Sequence, residues 1–157
     1  ATSLTVTSLS NLTPGALNAI VTTSGRSSGD AVQVATVSQT IQDWRQFYFG
    51  RPDNDGNAAD NFDADGDGLV NLLEYAFGLN PTDGTSLSLP QPQRIGNNLT
   101  TTFIGASGVT YAAEWTTTLL QGDWLPITDT GAGDQHTFTI PVGSIPQRFM
   151  RLRVTRP

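Results

Sequence analysis

From Ala1 to Val37 apolar residues alternate with serine, threonine and other polar residues: "SLTVTSL", "ALNAIVTT" and "DAVQVATV" each repeat with a period of two. That period predicts half-buried strands, and "TPG" and "SGRSSGD" punctuate them, so three short strands are expected. The period then lengthens. In "SQTIQDWRQFYFG" the residues Ile41, Trp44, Phe47 and Tyr48 recur every three or four positions, a Ser or Thr stands ready to cap, and Gly50 ends the run. This predicts one amphipathic helix. "NLLEYAFGLNP" repeats the logic, with Leu72, Leu73, Tyr75, Ala76 and Leu79 as the apolar stripe and Gly78 and Pro81 as terminators. From Thr85 onward the short period returns in "NLTTTFIG", "VTYAAEWTT", "DWLPITDT", "QHTFTIPV" and "RFMRLRVT", each bounded by Gly, Pro, Asn or Asp. That spacing is the one expected of antiparallel strands in a sandwich.

Three zones follow from the pattern: strands over 1–37, a helix–loop–helix over 38–84 and a β zone over 85–157. "LTPG" at Leu12 to Gly15 and "AVQVATV" at Ala31 to Val37 resemble the second half of a fibronectin type III domain. The resemblance implies either a partial domain or strands that complete a sheet with the C-terminal zone. The expected fold class is mainly β: an immunoglobulin- or fibronectin-like antiparallel sandwich with a helix–loop–helix insert.

The loop of that insert is "DADGDGLVNLLE", between the two helices, and its pattern makes it a calcium loop. Asp63, Asp65 and Asp67 take positions 1, 3 and 5 of a twelve-residue loop, Gly68 position 6, Leu69 position 7, Asn71 position 9 and Glu74 position 12. This is EF-hand spacing. Calcium takes 6–8 hard oxygen ligands at 2.3–2.6 Å, alternating side chains of an open loop can face one centre, and glycine allows the sharp turn. Leu69 would give its backbone carbonyl, Asn71 would act directly or through water, and Glu74 would bind with both oxygens. Mg²⁺ suits the loop less well, because it prefers a rigid octahedral shell with retained waters. Without a cation the crowded carboxylates repel one another.

Upstream, Asp53, Asp55, Asn57 and Asp60 in "RPDNDGNAAD" offer a second set of oxygens, for another calcium or for a plain Asx-rich turn. This stretch resembles the aspartate-rich repeats of thrombospondin type 3 modules. The single "D-x-D-G-D-G-x-V-N" element also resembles half of a dockerin, which needs two. From Trp44 to Pro157 the chain resembles C-terminal modules appended to large secreted bacterial enzymes and surface proteins, through "W-R-x-x-x-F", the calcium element, "Y-x-x-E-W" and "R-F-M-R-L-R-V".

Composition narrows the function classes. The net charge is −6 and there is no lysine, which argues against nucleic acid, whose phosphates need a basic surface. Arg148, Arg151, Arg153 and Arg156 form the one basic cluster, spaced as a solvated or ion-paired strand face. No apolar run approaches the ~20 residues of a membrane span. Cysteine is absent, so an extracellular domain would depend on packing or metal for stability. Low charge with abundant Thr, Ser, Gly and Asn resembles secreted bacterial modules. The first residue is Ala1, from which a processed or excised chain is expected.

The catalytic inventory is thin. His136 is the sole histidine and sits in an alternating strand; Glu114 is the only glutamate besides Glu74, with Asp123 and Asp129 as conceivable partners. Phosphate-cradling glycine loops and zinc-type clusters are absent. Trp115, Trp124 and Tyr111, with Phe47, Tyr48 and Phe49, are the aromatics suited to stacking on sugar rings, unless they face the core. The expected function is a non-catalytic, calcium-stabilised, secreted or cell-surface accessory module that binds polysaccharide. The alternatives are an attachment or assembly module that recruits a protein partner through its sheet edges, and a small glycan-active enzyme.

Overall fold

The computed structural model describes residues 15–20, 22–23, 26–27, 29–30, 32–37, 39–85, 89–143 and 147–156. The chain divides into two compact units, Ala1–Gln39 and Thr40–Pro157. The first holds β1 (Gly15–Ala19), β2 (Thr22–Thr23), β3 (Arg26–Ser27) and β4 (Val32–Val37). β1 pairs antiparallel with β4, with a register shift between Leu17 and Asn18, and β2 pairs with β3. The segment "ALNAIVTT" therefore contributes to two strands rather than one, and "SLTVTSL" lies outside the described residues.

The second unit begins with α1 (Ile41–Phe49). Thr40 accepts from the Asp43 N–H while the Asp43 carboxylate accepts from the Thr40 N–H, a reciprocal cap that satisfies two orphan donors. Gly50 ends the helix at φ 70°, the left-handed conformation glycine adopts without a Cβ penalty. The inward face differs from the expected stripe in one respect: Phe47 is 75% exposed, while Ile41, Trp44 and Arg45 are buried. Residues 41, 44, 45 and 48 lie on one side of a 3.6-residue helix, and position 47 falls off its edge.

α2 (Asn71–Phe77) has no side-chain cap at Val70. The chain ahead of it substitutes: the N–H groups of Asn71 and Leu72 donate to the carbonyls of Phe62 and Asp60, at 2.8 and 3.1 Å. Ile41, Trp44 and Tyr75 pack together with Tyr48, Phe49, Leu72 and Val109, so the two helices share one apolar cluster. The Tyr75 hydroxyl donates to the Ser107 carbonyl at 2.8 Å.

Six strands complete the unit: β5 (Gln93–Ile95), β6 (Asn98–Ile104), β7 (Thr110–Thr116), β8 (Leu125–Ile127), β9 (Gln135–Pro141) and β10 (Phe149–Thr155). They form two antiparallel sheets of three strands, ordered β5-β6-β9 and β10-β7-β8, and an isolated bridge pairs Asp129 with Phe138. Among the described residues the protein is mainly β with two α-helices. Ala76, Tyr111, Ala113 and Phe138 form the buried centre, joined by Phe77, Phe103, Ile127, Leu152 and Val154, so α2 and both sheets contribute to one core. Away from that core, threonines pair across strands: Thr100 with Thr139 and Thr102 with Thr137, their hydroxyls 3.1 and 3.2 Å apart. Glu114 accepts from Arg151 at 2.8 Å and from Arg153 at 3.3 Å, making an ion-paired surface of β7 and β10.

Candidate metal centre

The acidic loop leads from the end of α1's connection into α2. Asp63 accepts from the N–H groups of Gly66 and Gly68 at 2.8 and 2.9 Å, Asp65 from Asp67 at 3.2 Å, and Asp67 from Leu69 at 2.7 Å. Each aspartate thus spends one oxygen, or two for Asp63, on the backbone two to five residues ahead, which curls the chain around its own carboxylates. Gly68, at φ 95°, permits the turn that an L side chain would resist. The result is a cluster in which one carboxylate oxygen from each of Asp63, Asp65 and Asp67 lies within 4.8 Å of the others.

Glu74, expected to close the loop with both oxygens, lies outside that three-carboxylate cluster but within the electrostatic reach of all three aspartates. It is 0% exposed, and both of its carboxylate oxygens are buried without a hydrogen-bond partner. Burial, followed by the negative fields of Asp65, Asp67 and Asp63, pushes its carboxyl up to about 7. One oxygen each of Asp65 and Asp67 and the Asn71 side-chain oxygen are likewise buried and unpartnered. The Asn71 amide donates to the carbonyls of Asn57 and Ala59 at 2.9 and 2.8 Å, which turns its donors toward the preceding loop and leaves its oxygen free. Leu69, half-buried, gives its N–H to Asp67. Five orphaned oxygens, all hard acceptors, cost several kcal/mol together unless a donor or cation meets them.

The upstream set behaves differently. Asp53 and Asp55 lie 3.9 and 3.1 Å from the Arg51 guanidinium, and Asn57 is exposed. Asp60 is held by two arginines: Arg45, 1% exposed, pairs with one oxygen, and Arg156 approaches the other at 2.9 Å. Arg45 also donates to the Ala58 carbonyl at 3.0 Å. Among the described residues the carboxylates close enough together to share an ion are those of Asp63, Asp65 and Asp67 alone.

Sequence spacing does not reveal these arginine partners, which come from 15 residues upstream and 96 downstream of Asp60. Nor does it reveal Gly84, where an added Cβ would stand 3.4 Å from the Asp67 Cβ. The turn after Pro81 therefore lies against the acidic loop.

The aromatic candidates separate. Tyr111 is core: it is 8% exposed, donates to the Ala76 carbonyl at 2.7 Å and accepts from the Ala106 N–H at 2.7 Å. Trp124 is half-buried with the Arg151 guanidinium 4.0 Å over its ring. Trp115 lines a cleft of about 450 Å³ and carries Arg148 at 4.6 Å. His136 contacts Asp129 at 2.5 Å through Nδ1 and packs against Tyr111 and Phe103, with ring centroids 4.6 and 5.4 Å away. No family model, curated protein or solved structure matches the chain.

Proposed function

We propose that the protein is a calcium-stabilised, non-catalytic accessory module of a secreted or cell-surface protein, a β-sandwich with a helix–calcium loop–helix insert. The observation that carries this reading is Glu74: two buried, unpartnered carboxylate oxygens on α2, within the fields of three clustered aspartates. Oxygen-only donors at EF-hand spacing suit Ca²⁺, and extracellular modules bind it with dissociation constants of ~10⁻⁴–10⁻³ M. The ion's role is structural. Glu74 is followed on α2 by Tyr75 and Ala76, whose hydroxyl and carbonyl bond Ser107 and Tyr111, so fixing the loop fixes the helix against β7. A cysteine-free chain thereby gains a staple of another kind.

Carbohydrate contact is the task proposed for the module, with Trp115 as the tryptophan that lines a cleft. The test of the calcium role is thermal melting with calcium and with EDTA, in the wild type and in Asp65→Ala. Chelation is expected to lower the melting temperature of the wild type and leave the variant unchanged. Equal melting of the wild type in both conditions refutes the structural role.

A further inference from the structure

The cleft beside Trp115 is lined by an arginine that, among the described residues, no carboxylate pairs. Its walls come from both sheets: Trp115 from β7, Ile127 from β8, Thr128 and Thr130 from the segment that follows, Ile140 from β9, and Arg148 from the approach to β10. Arg45, Arg51, Arg151, Arg153 and Arg156 each have an Asp or Glu carboxylate within 4.0 Å, and Arg94 donates to the Gly96 carbonyl. Arg148 differs. Among the described residues it has no carboxylate in reach, and its Nε is buried without a hydrogen-bond partner. Its guanidinium lies 4.6 Å from the Trp115 ring centroid, within cation–π range.

A permanent cation that lines a cleft with no carboxylate beside it favours an anion there. The group that answers it is a planar anion able to take two parallel N–H bonds, which a carboxylate does best. The rest of the cleft is neither charged nor purely apolar. An indole, isoleucines, prolines and three threonines offer a surface for the C–H face of a pyranose and hydroxyls for its own hydroxyls. At about 450 Å³ the cleft lies within the ~300–1,000 Å³ range of small-molecule sites.

We propose that this cleft binds an acidic sugar unit, with Arg148 receiving the carboxylate of a uronic acid and Trp115 bordering its ring. The inference rests on the carbohydrate reading and sharpens it. It is independent of the metal centre, whose residues do not line the cleft. The overall charge of −6 opposes a dense polyanion at long range, so the fit is to a single uronate unit or to isolated ones in a neutral chain.

The test uses matched pairs: methyl uronides of gluco, galacto and manno configuration, each against its neutral methyl glycoside, titrated into the full chain and followed by calorimetry. At least one uronide is expected to bind about tenfold or more tightly than its neutral partner. Arg148→Gln should erase that preference, and Trp115→Ala should weaken both members of the pair, with melting temperatures checked alongside. Inorganic sulfate and acetate serve as free-anion probes and should bind far more weakly than the preferred uronide. Equal affinity within every pair overturns the acidic inference and leaves carbohydrate contact standing. Sulfate binding alone overturns the sugar assignment, and silence from all probes overturns both.

Discussion

Glu74→Gln separates a metal ligand from an ordinary buried residue, because the two roles predict opposite signs in the absence of calcium. The substitution keeps the side chain's size and removes its charge. At calcium one hundred times the dissociation constant, the ion adds about 2.7 kcal/mol to the stability of the wild type. For a unit the size of Thr40–Pro157 that is a rise of about 10 °C, at roughly 4 °C per kcal/mol. If loss of the bidentate carboxylate weakens binding about a hundredfold, the same calcium adds only about 0.4 kcal/mol, or ~2 °C. In EDTA the comparison reverses. The wild type then keeps a 0% exposed carboxylate among three aspartates, both oxygens unpaired, while the variant carries a neutral amide. The variant should melt at or above the wild type. Calorimetric melts of both proteins in saturating calcium and in excess EDTA decide the matter. An equal loss of stability in both conditions would mean that Glu74 serves packing only.

Other consequences are equally concrete. Asp60→Asn removes the carboxylate shared by Arg45 and Arg156 and should cost about 3 kcal/mol in urea unfolding, the low end for a broken buried pair because Asp60 is partly exposed; a loss below ~1 kcal/mol would contradict that role. Tyr111→Phe leaves the Ala76 carbonyl and Ala106 N–H without their shared hydroxyl, so a loss of about 1–3 kcal/mol is expected with uronide binding intact; a loss of binding at unchanged stability would return Tyr111 to the ligand site. The Glu114 carboxyl is held below its ordinary value by the Arg151 guanidinium and then by Arg153. Its contribution is therefore present above pH 4.5, the unfolded value, and fades as pH falls through the lower folded value. Glu114→Gln should flatten that acid limb in pH-dependent melts, and an unchanged limb would show the pair to be energetically silent.

The acidic loop is legible in the sequence because its geometry is local. Asp63, Asp65 and Asp67 bond N–H groups two to five residues ahead, so spacing and shape are the same information. The same holds for α1, whose capping pair Thr40 and Asp43 and terminator Gly50 all lie within the run that encodes it. Asp60 has the same chemistry as the loop aspartates and occupies a similar pattern, yet its partners arrive from Arg45 and Arg156, and no local pattern encodes a contact 96 residues distant. Strand periodicity predicts which residues share a face and not which way that face points. Tyr111, Ala113 and Trp115 lie on one face of β7, and the first two enter the core while the third borders a cleft. Arg148 and Arg151, three residues apart, meet different tryptophans, and only one of them meets a carboxylate. Short strands such as β5 carry too few residues for their period to register.

The central claim concerns one ion, and anomalous diffraction from crystals grown in calcium addresses it without intermediaries. The account predicts a single anomalous peak at the loop, with oxygens of Asp63, Asp65, Asp67 and Glu74 and the Leu69 carbonyl at 2.3–2.6 Å. Well-ordered density with no peak, and with Glu74 turned away from the three aspartates, would contradict it.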